Sequence, residues 1–190
     1  LDALLDHNAA DLDWVGLSVD SAIESVEVAL GRSRGTHVAN SLRLAGRCRT
    51  LGIRVKLNTV VTALNADEDM SAFVRAMAPE RWKVFQVLPM KGQNDGVVEP
   101  LLISPAAFRA FIDRHEALAS AGLAPIVEDN DAMRGSYAMI DPEGRFFGNA
   151  TSEHVYSRPI LEVGVEAALA EVGVSAEKFD MRGGRYSWAR

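Results

Sequence analysis

Two hydrophobic periods take turns along this chain, one of 3.6 residues and one of two, and their succession predicts alternating helices and strands. Leu1, Leu4, Leu5 and Leu12 fit the end of an amphipathic helix. Residues 14–20 (WVGLSVD) form a short β-branched run bounded by acidic residues and read as a strand. The run AIESVEVAL behind it reads as a helix that Asp20 and Ser21 can cap. Residues 31–35 (GRSRG) break that helix. A 3.6-residue period resumes through Val38, Leu42, Ala45 and Cys48 and stops at Gly52, where a C-cap glycine belongs. Residues 53–61 and 82–90 are strand-like, with helical spacing over 67–77 between them. Ser104 and Pro105 open a further helix to Leu118, with serine as N-cap and proline at the first helical position. Short strands at 125–127, 136–140 and 145–148 follow, the last two joined by an Asp-Pro-Glu-Gly turn, and then a helix over 159–172.

Strands separated by helices of 10–15 residues point to βαβ crossovers and hence to parallel strands covered by helices. The fold class predicted is α/β. The change of rhythm near residue 120 divides the chain into 1–120 and a C-terminal extension, 121–190.

The strands carry charge where a two-sided parallel sheet should be apolar. In the second, Val55, Leu57, Thr59 and Val61 share one face, while Arg54, Lys56 and Asn58 share the other. In the third, Trp82, Val84 and Leu88 oppose Arg81, Lys83 and Phe85; in the first, Val15, Leu17 and Val19 oppose Gly16, Ser18 and Asp20. If the sheet curves into a whole or partial barrel, the polar faces line its interior. Burying an ammonium or guanidinium without compensation costs several kcal/mol, so the face calls for an anion, from a ligand or from the protein. Lysine is scarce, four of the 20 Lys and Arg, and two of those four are on these faces. Two alternatives stand beside this reading: strands half open to solvent, or an internal salt bridge from Asp20 to Lys56 or Lys83.

Composition narrows the function. With 48% hydrophobic and 24% charged residues in a chain of 190, the protein is an ordinary globular one, and no apolar stretch reaches the ~18 residues of a membrane span. A net charge of −6 argues against coating a nucleic-acid polymer. One cysteine, Cys48, excludes a disulfide framework, and it cannot supply the thiolates of an iron–sulfur site. No signal or transit segment is legible in residues 1–20, which reads as cytoplasmic, and the opening on Leu1 reads as the middle of a longer protein. His7, His37, His115 and His154 have no metal-ligand spacing and read as surface residues; no G-x-S-x-G elbow or P-loop is present. The GRSRG arginines can hold a carboxylate, and Arg182-Gly183-Gly184-Arg185 offers two guanidinium forks around glycines, a phosphate clamp or a solvated tail. Tyr137 reads best as a packed phenol.

The motifs LSVDS (17–21), LGRSRG (30–35), VKLNTVV (55–61), ERWKVFQVLPMKGQN (80–94), SYAMID (136–141), ILEVGVEAAL (160–169) and FDMRGGRYSW (179–188) occur in an order that resembles the viperins, radical S-adenosylmethionine enzymes, and among them the prokaryotic viperin-like proteins. The likeness extends over nearly the whole chain. ERWKVFQ and RGG-R-Y-x-W are fairly specific to that family, whereas the strand motifs alone would indicate only a radical S-adenosylmethionine barrel.

The resemblance implies the second half of a partial (βα)6 barrel with a C-terminal extension closing the substrate pocket, holding S-adenosylmethionine and a [4Fe–4S] cluster, with a reducing partner for the cluster. The implied reaction abstracts the C4′ hydrogen of a nucleoside triphosphate and yields its 3′-deoxy-3′,4′-didehydro form, a chain terminator used in antiviral defence. By motif match, Ser18, Arg32 and Asn58 would contact S-adenosylmethionine. Lys56, Arg81, Lys83, Arg182, Gly183, Gly184 and Arg185 would bind the triphosphate, with Arg185 where the family commonly has lysine, and Tyr137 would donate a hydrogen late in the reaction. The C-x-x-x-C-x-x-C cluster loop and the Gly-Gly-Glu motif of the family are absent from these 190 residues. The chain therefore reads as the C-terminal two-thirds of such an enzyme and as inert by itself. Two other classes fit the cationic face: an aldolase-type barrel with Lys56 or Lys83 as Schiff-base lysine, and a non-catalytic nucleotide-binding module.

Overall fold

A computed structural model describes residues 5, 7–182 and 184. They fall into two compact units that interleave along the chain. The first runs to Gln86 and resumes over Ile103–Val127; the second takes Val87–Leu102 and continues from Glu128.

The first unit is built on strands β1 (Trp14–Ser18), β2 (Arg54–Val61) and β3 (Arg81–Gln86), to which β4 (Pro125–Glu128) adds in the sheet order β1-β2-β3-β4. The pairs β1–β2 and β2–β3 are parallel, as the predicted crossovers require. The chain is thus α/β with a parallel sheet. Helices α1 (Glu24–Ala29), α2 (His37–Thr50), α3 (Ser71–Met77) and α4 (Pro105–Arg114) connect and follow the strands. Gly52 takes φ +70° directly after α2, a left-handed position glycine occupies without strain, and Ser104 caps α4 by accepting from the Ala107 amide.

Burial along β2 alternates strictly: Val55, Leu57, Thr59 and Val61 are buried, and the residues between them are not. Together with Trp82, Val84, Phe111 and Leu118 they form the core on one side of the sheet. The Trp82 indole donates to Thr59 Oγ1 at 3.0 Å, and that hydroxyl donates to the Val19 carbonyl at 2.8 Å. Every polar atom carried in with this tryptophan is thereby satisfied.

Several expectations are corrected. Asp20 and Ser21 do not cap α1, whose N-cap is Ile23 without a side-chain bond; their side chains are drawn into the turn after β1 instead. His115 is not a surface residue. It is wholly buried, accepts the Met70 amide at Nε2 (2.9 Å), bonds the Phe111 carbonyl through Nδ1 (2.7 Å) and meets Trp82 edge-on. His37 is partly buried, against the Ser18 carbonyl. The helix expected over 159–172 is two short ones, α6 (Ile160–Val163) and α7 (Val165–Ala170), because Gly164 at φ +84° interrupts the ladder; Pro159 ends a strand the pattern did not reveal.

Burial pushes the His115 imidazole below its ordinary value of 6.5. The folded state favours the neutral ring, so its contribution is fully present above pH 6.5 and is lost as pH falls below that value toward the lowered one. His115→Gln is expected to cost about 1–3 kcal/mol at pH 7.5, from lost backbone bonds, and to flatten the acid dependence below pH 6.5. Urea midpoints at pH 7.5 and 5.5 check this; equal pH dependence in both proteins would refute it.

The second unit contains α5 (Asn130–Met133), the antiparallel sheet β5 (Met139–Ile140), β6 (Arg145–Gly148) and β7 (Val155–Pro159), helices α6 and α7, and α8 (Ala176–Met181). Only Met139–Ile140 of the expected strand 136–140 is paired. Its first residues turn back instead, with the Ser136 amide bonded to the Met133 carbonyl. Among the described residues no helix is long and apolar enough to cross a membrane.

Candidate functional site

The register of the parallel sheet places the polar residues in two transverse rows on the face opposite the core. One row is Gly16, Lys56, Arg81; the next is Ser18, Asn58, Lys83. Ideal sheet spacings put the Cα atoms of Lys56 and Lys83 about 8 Å apart, with Arg81 in register beside Lys56. Lys56 and Arg81 are directly opposed, an arrangement of like charges that sheets ordinarily avoid. Lys83 is only 3% exposed, with its Nζ 5.8 Å from the Phe85 ring centre, whereas Lys56 and Arg81 are half-buried. Beside Lys56, Gly16 leaves open space: a Cβ there would meet nothing within 4 Å. The Asn58 carboxamide oxygen is buried without a hydrogen-bond partner among the described residues.

At the C-terminal ends of these strands, where parallel sheets bind their ligands, one carboxylate organises the turn. Asp20, 3% exposed, accepts the Val60 amide at Oδ1 (2.8 Å) and Arg32 Nε at Oδ2 (2.7 Å). Its main chain is held as well. The Asp20 and Ser21 amides donate to Glu27 Oε1 at 2.8 and 2.7 Å, and Asn65 Nδ2 donates to the Asp20 carbonyl. The Arg32 side chain is held through Nε and stays 42% exposed, and a guanidinium so held can still receive a ligand carboxylate. Glu27 is fully buried; desolvation pushes its carboxyl above the usual range, partly offset by those two amides. His37 Nε2 lies 3.5 Å from Glu27 Oε2 and 2.7 Å from the Ser18 carbonyl, tying the end of β1 to the start of α2.

In the second unit Tyr137 precedes β5, and its phenol donates to Glu128 Oε2 at 2.5 Å. The Arg182 guanidinium lies 3.8 Å from the Tyr137 ring centre and donates through Nε and Nη2 to the Ser136 carbonyl. Gly184 adopts φ +46° and returns its amide to the Phe179 carbonyl. Gly183 and Arg185 lie outside the described residues.

No family model matches the sequence. Individual relatives do. Over 185 residues the chain is 43% identical to the S-adenosylmethionine-dependent nucleotide dehydratase of Flammeovirga pacifica, covering 96% of this chain and 62% of that protein. It is 39% identical over 191 residues to the enzyme of the same name from Lacinutrix mariniflava, covering 98% and 39%. The nucleotide dehydratase RSAD2 of Danio rerio is 36% identical over 186 residues, covering 94% and 51%. Over nearly its whole length the chain is similar to S-adenosylmethionine-dependent nucleotide dehydratases. It spans between 39% and 62% of the length of these relatives, and the viperin resemblance read from the motifs agrees with them.

Three of the residues matched to that family's triphosphate set, Lys56, Arg81 and Lys83, fall on one sheet face, next to Ser18 and Asn58 of its S-adenosylmethionine set. Arg32 reaches the same strand ends through Asp20. The Asp20 carboxylate, offered from sequence as a partner for Lys56 or Lys83, bonds Arg32. The GRSRG arginine does hold a carboxylate, but one of the protein's own. Sequence reasoning missed Glu27 and Glu128, both fully buried. Their signal was an acidic residue on the apolar alternation of its element, as in Ile126 and Glu128 of PIVE.

A nucleotide dehydratase site would need S-adenosylmethionine, and the residues present fit it: an orphaned buried carboxamide oxygen can accept from its amino group, and an oriented guanidinium can take its carboxylate. The iron–sulfur cluster has no such fit in the described residues, which contain no group of three or more His, Cys, Asp or Glu able to hold a metal. Cys48 is buried within α2, and burial raises its thiol above the usual range, against thiolate formation.

Proposed function

We propose that this chain supplies the cofactor and nucleotide face of an S-adenosylmethionine-dependent dehydratase that converts a nucleoside triphosphate to its 3′-deoxy-3′,4′-didehydro form, for antiviral defence. The observation that carries the reading is the convergence of Lys56, Arg81 and Lys83 on one sheet face, one of them buried, beside the unpartnered oxygen of Asn58. Three cations in one patch suit a triphosphate bearing about four negative charges, where charge-assisted bonds are strongest. In this reading the sheet is the second half of a partial (βα)6 barrel, residues 1–120 belong to the barrel and 121–190 to an extension that closes the substrate pocket.

Each residue has a stated task. Ser18, Asn58 and Arg32 bind S-adenosylmethionine, with Arg32 taking the carboxylate. Lys56 and Lys83 bind phosphate oxygens as point charges, and Arg81 binds them as a fork. Arg182, Gly183, Gly184 and Arg185 join the triphosphate set by motif match, and Tyr137 is the hydrogen donor. S-adenosylmethionine, when bound, supplies the radical that opens the reaction. The cluster that cleaves it, and the reductant of that cluster, would be provided outside the residues described here. That the partner is not a nucleic-acid polymer goes with a net charge of −6.

The test is turnover. The product of the complete reading frame, reconstituted with iron and sulfide under reducing conditions, is expected to release 5′-deoxyadenosine and a didehydro nucleotide when given S-adenosylmethionine and nucleoside triphosphates. Formation of neither product from any of the four ribonucleotides would overturn the reading. Borohydride trapping of a carbonyl substrate on Lys56 or Lys83 would favour the aldolase class instead.

A further inference from the structure

We propose that Glu128 is a positioning residue whose buried carboxylate fixes Tyr137, and Arg182 with it, in a single arrangement. Glu128 closes β4, and its side chain is fully buried. Its two oxygens reach Tyr137 and Arg182. Oε2 accepts the Tyr137 phenol at 2.5 Å, and Oε1 lies 3.8 Å from Arg182 Nη1. Arg182, whose side chain is 11% exposed, also covers the phenol ring at 3.8 Å, spends Nε and Nη2 on the Ser136 carbonyl, and rests on the Phe179 ring at 5.1 Å.

The phenol is thus constrained twice. The carboxylate fixes the hydroxyl, and the guanidinium fixes the plane of the ring through a cation–π contact. Both constraints meet at Glu128, because Arg182 is itself held between Ser136 and this carboxylate. A buried carboxylate costs several kcal/mol to desolvate, and an apolar residue of the same volume would serve packing alone as well or better. The geometry therefore points to a purpose beyond stability: a tyrosine that must meet a reacting nucleotide at one distance gains from a side chain that forbids other rotamers. The catalytic consequence rests on the dehydratase reading and on Tyr137 acting in it; the hold of Glu128 on the phenol does not.

The experiment has two arms. In the 190-residue chain labelled at tyrosine Cζ, the three tyrosine resonances are assigned with Tyr137→Phe and followed in Glu128→Gln, which keeps shape and an acceptor oxygen but not the charge. The Tyr137 resonance is expected to move toward that of the half-exposed Tyr156 while the melting curve stays cooperative. In the product of the complete reading frame, the same substitution is expected to lower kcat about tenfold with KM for the nucleotide within about threefold, the signature of lost positioning and not of lost binding. An unmoved Tyr137 resonance in a folded Glu128→Gln chain overturns the proposal, as does a moved resonance with unchanged kcat. If the wild-type protein turns over no nucleotide, the dehydratase reading is lost, and the resonance arm still decides whether Glu128 holds the phenol. If Glu128→Gln does not fold, Tyr137→Phe gives the readout from the other side: a shift of the Arg182 side-chain nitrogens supports the cluster, and its absence refutes it.

Discussion

Lys83→Met is expected to weaken binding of a nucleoside triphosphate by about 10- to 150-fold in a protein that still unfolds cooperatively. Lys83 is the most buried cation of the sheet face, 3% exposed and in register with Asn58. A charge-assisted bond from such a site is worth about 1.5–3 kcal/mol, because neither water nor salt competes for it, and each 1.4 kcal/mol is a factor of about ten. Methionine keeps most of the side-chain volume and removes the charge, so packing against Phe85 is retained. Calorimetric titration of the complete protein, with a urea melt alongside, reads both quantities. Lys56→Met should cost less, since Lys56 is half-buried and partly screened. Equal affinity in wild type and Lys83→Met would remove the basis for a phosphate site on this face.

The second large effect concerns Asp20. Asp20→Asn retains an acceptor for the Val60 amide but removes the charge that orients Arg32. Affinity for S-adenosylmethionine is expected to fall about tenfold through a guanidinium no longer held in place. The stability loss should stay near 1 kcal/mol, because the Arg32 side chain is 42% exposed and its ion pair is screened. Asp20→Ala also strands the Val60 N–H and should cost a further 1–3 kcal/mol or so. Binding and urea denaturation of both variants separate the two contributions. If Arg32→Ala loses the cofactor and Asp20→Asn does not, the carboxylate is only a structural tie between β1 and β2.

How much of this was legible beforehand depends on the range over which each signal acts. The strands carried their own periods: Val55, Leu57, Thr59 and Val61 alternate in the sequence and alternate in burial, because side chains on a strand must point to opposite faces. Lys56 and Lys83 could likewise be placed on the polar faces of their own strands. The helix ends failed where one residue overrode the local pattern. Gly164 cut in two a run that helical spacing had joined, and Pro159, a helix start by its chemistry, ends a strand. His115 was misread for a different cause. Its two ring nitrogens are satisfied by backbone groups, one of them 45 residues away in the chain, which no spacing rule expresses.

The amino-acid order alone determined the α/β class, the strands of the parallel sheet and their faces, and the family likeness, since these follow from periods of two and 3.6 residues and from short motifs. The tertiary structure decided the partners: that Asp20 reaches across to Arg32 and not to a lysine, that Glu27 gathers the amides after β1, and that Glu128 meets Tyr137 and Arg182. A carboxylate can satisfy its charge with any cation or amide brought within about 3 Å. Which one arrives is settled by strand register and by how the chain returns, quantities that no single stretch of sequence contains.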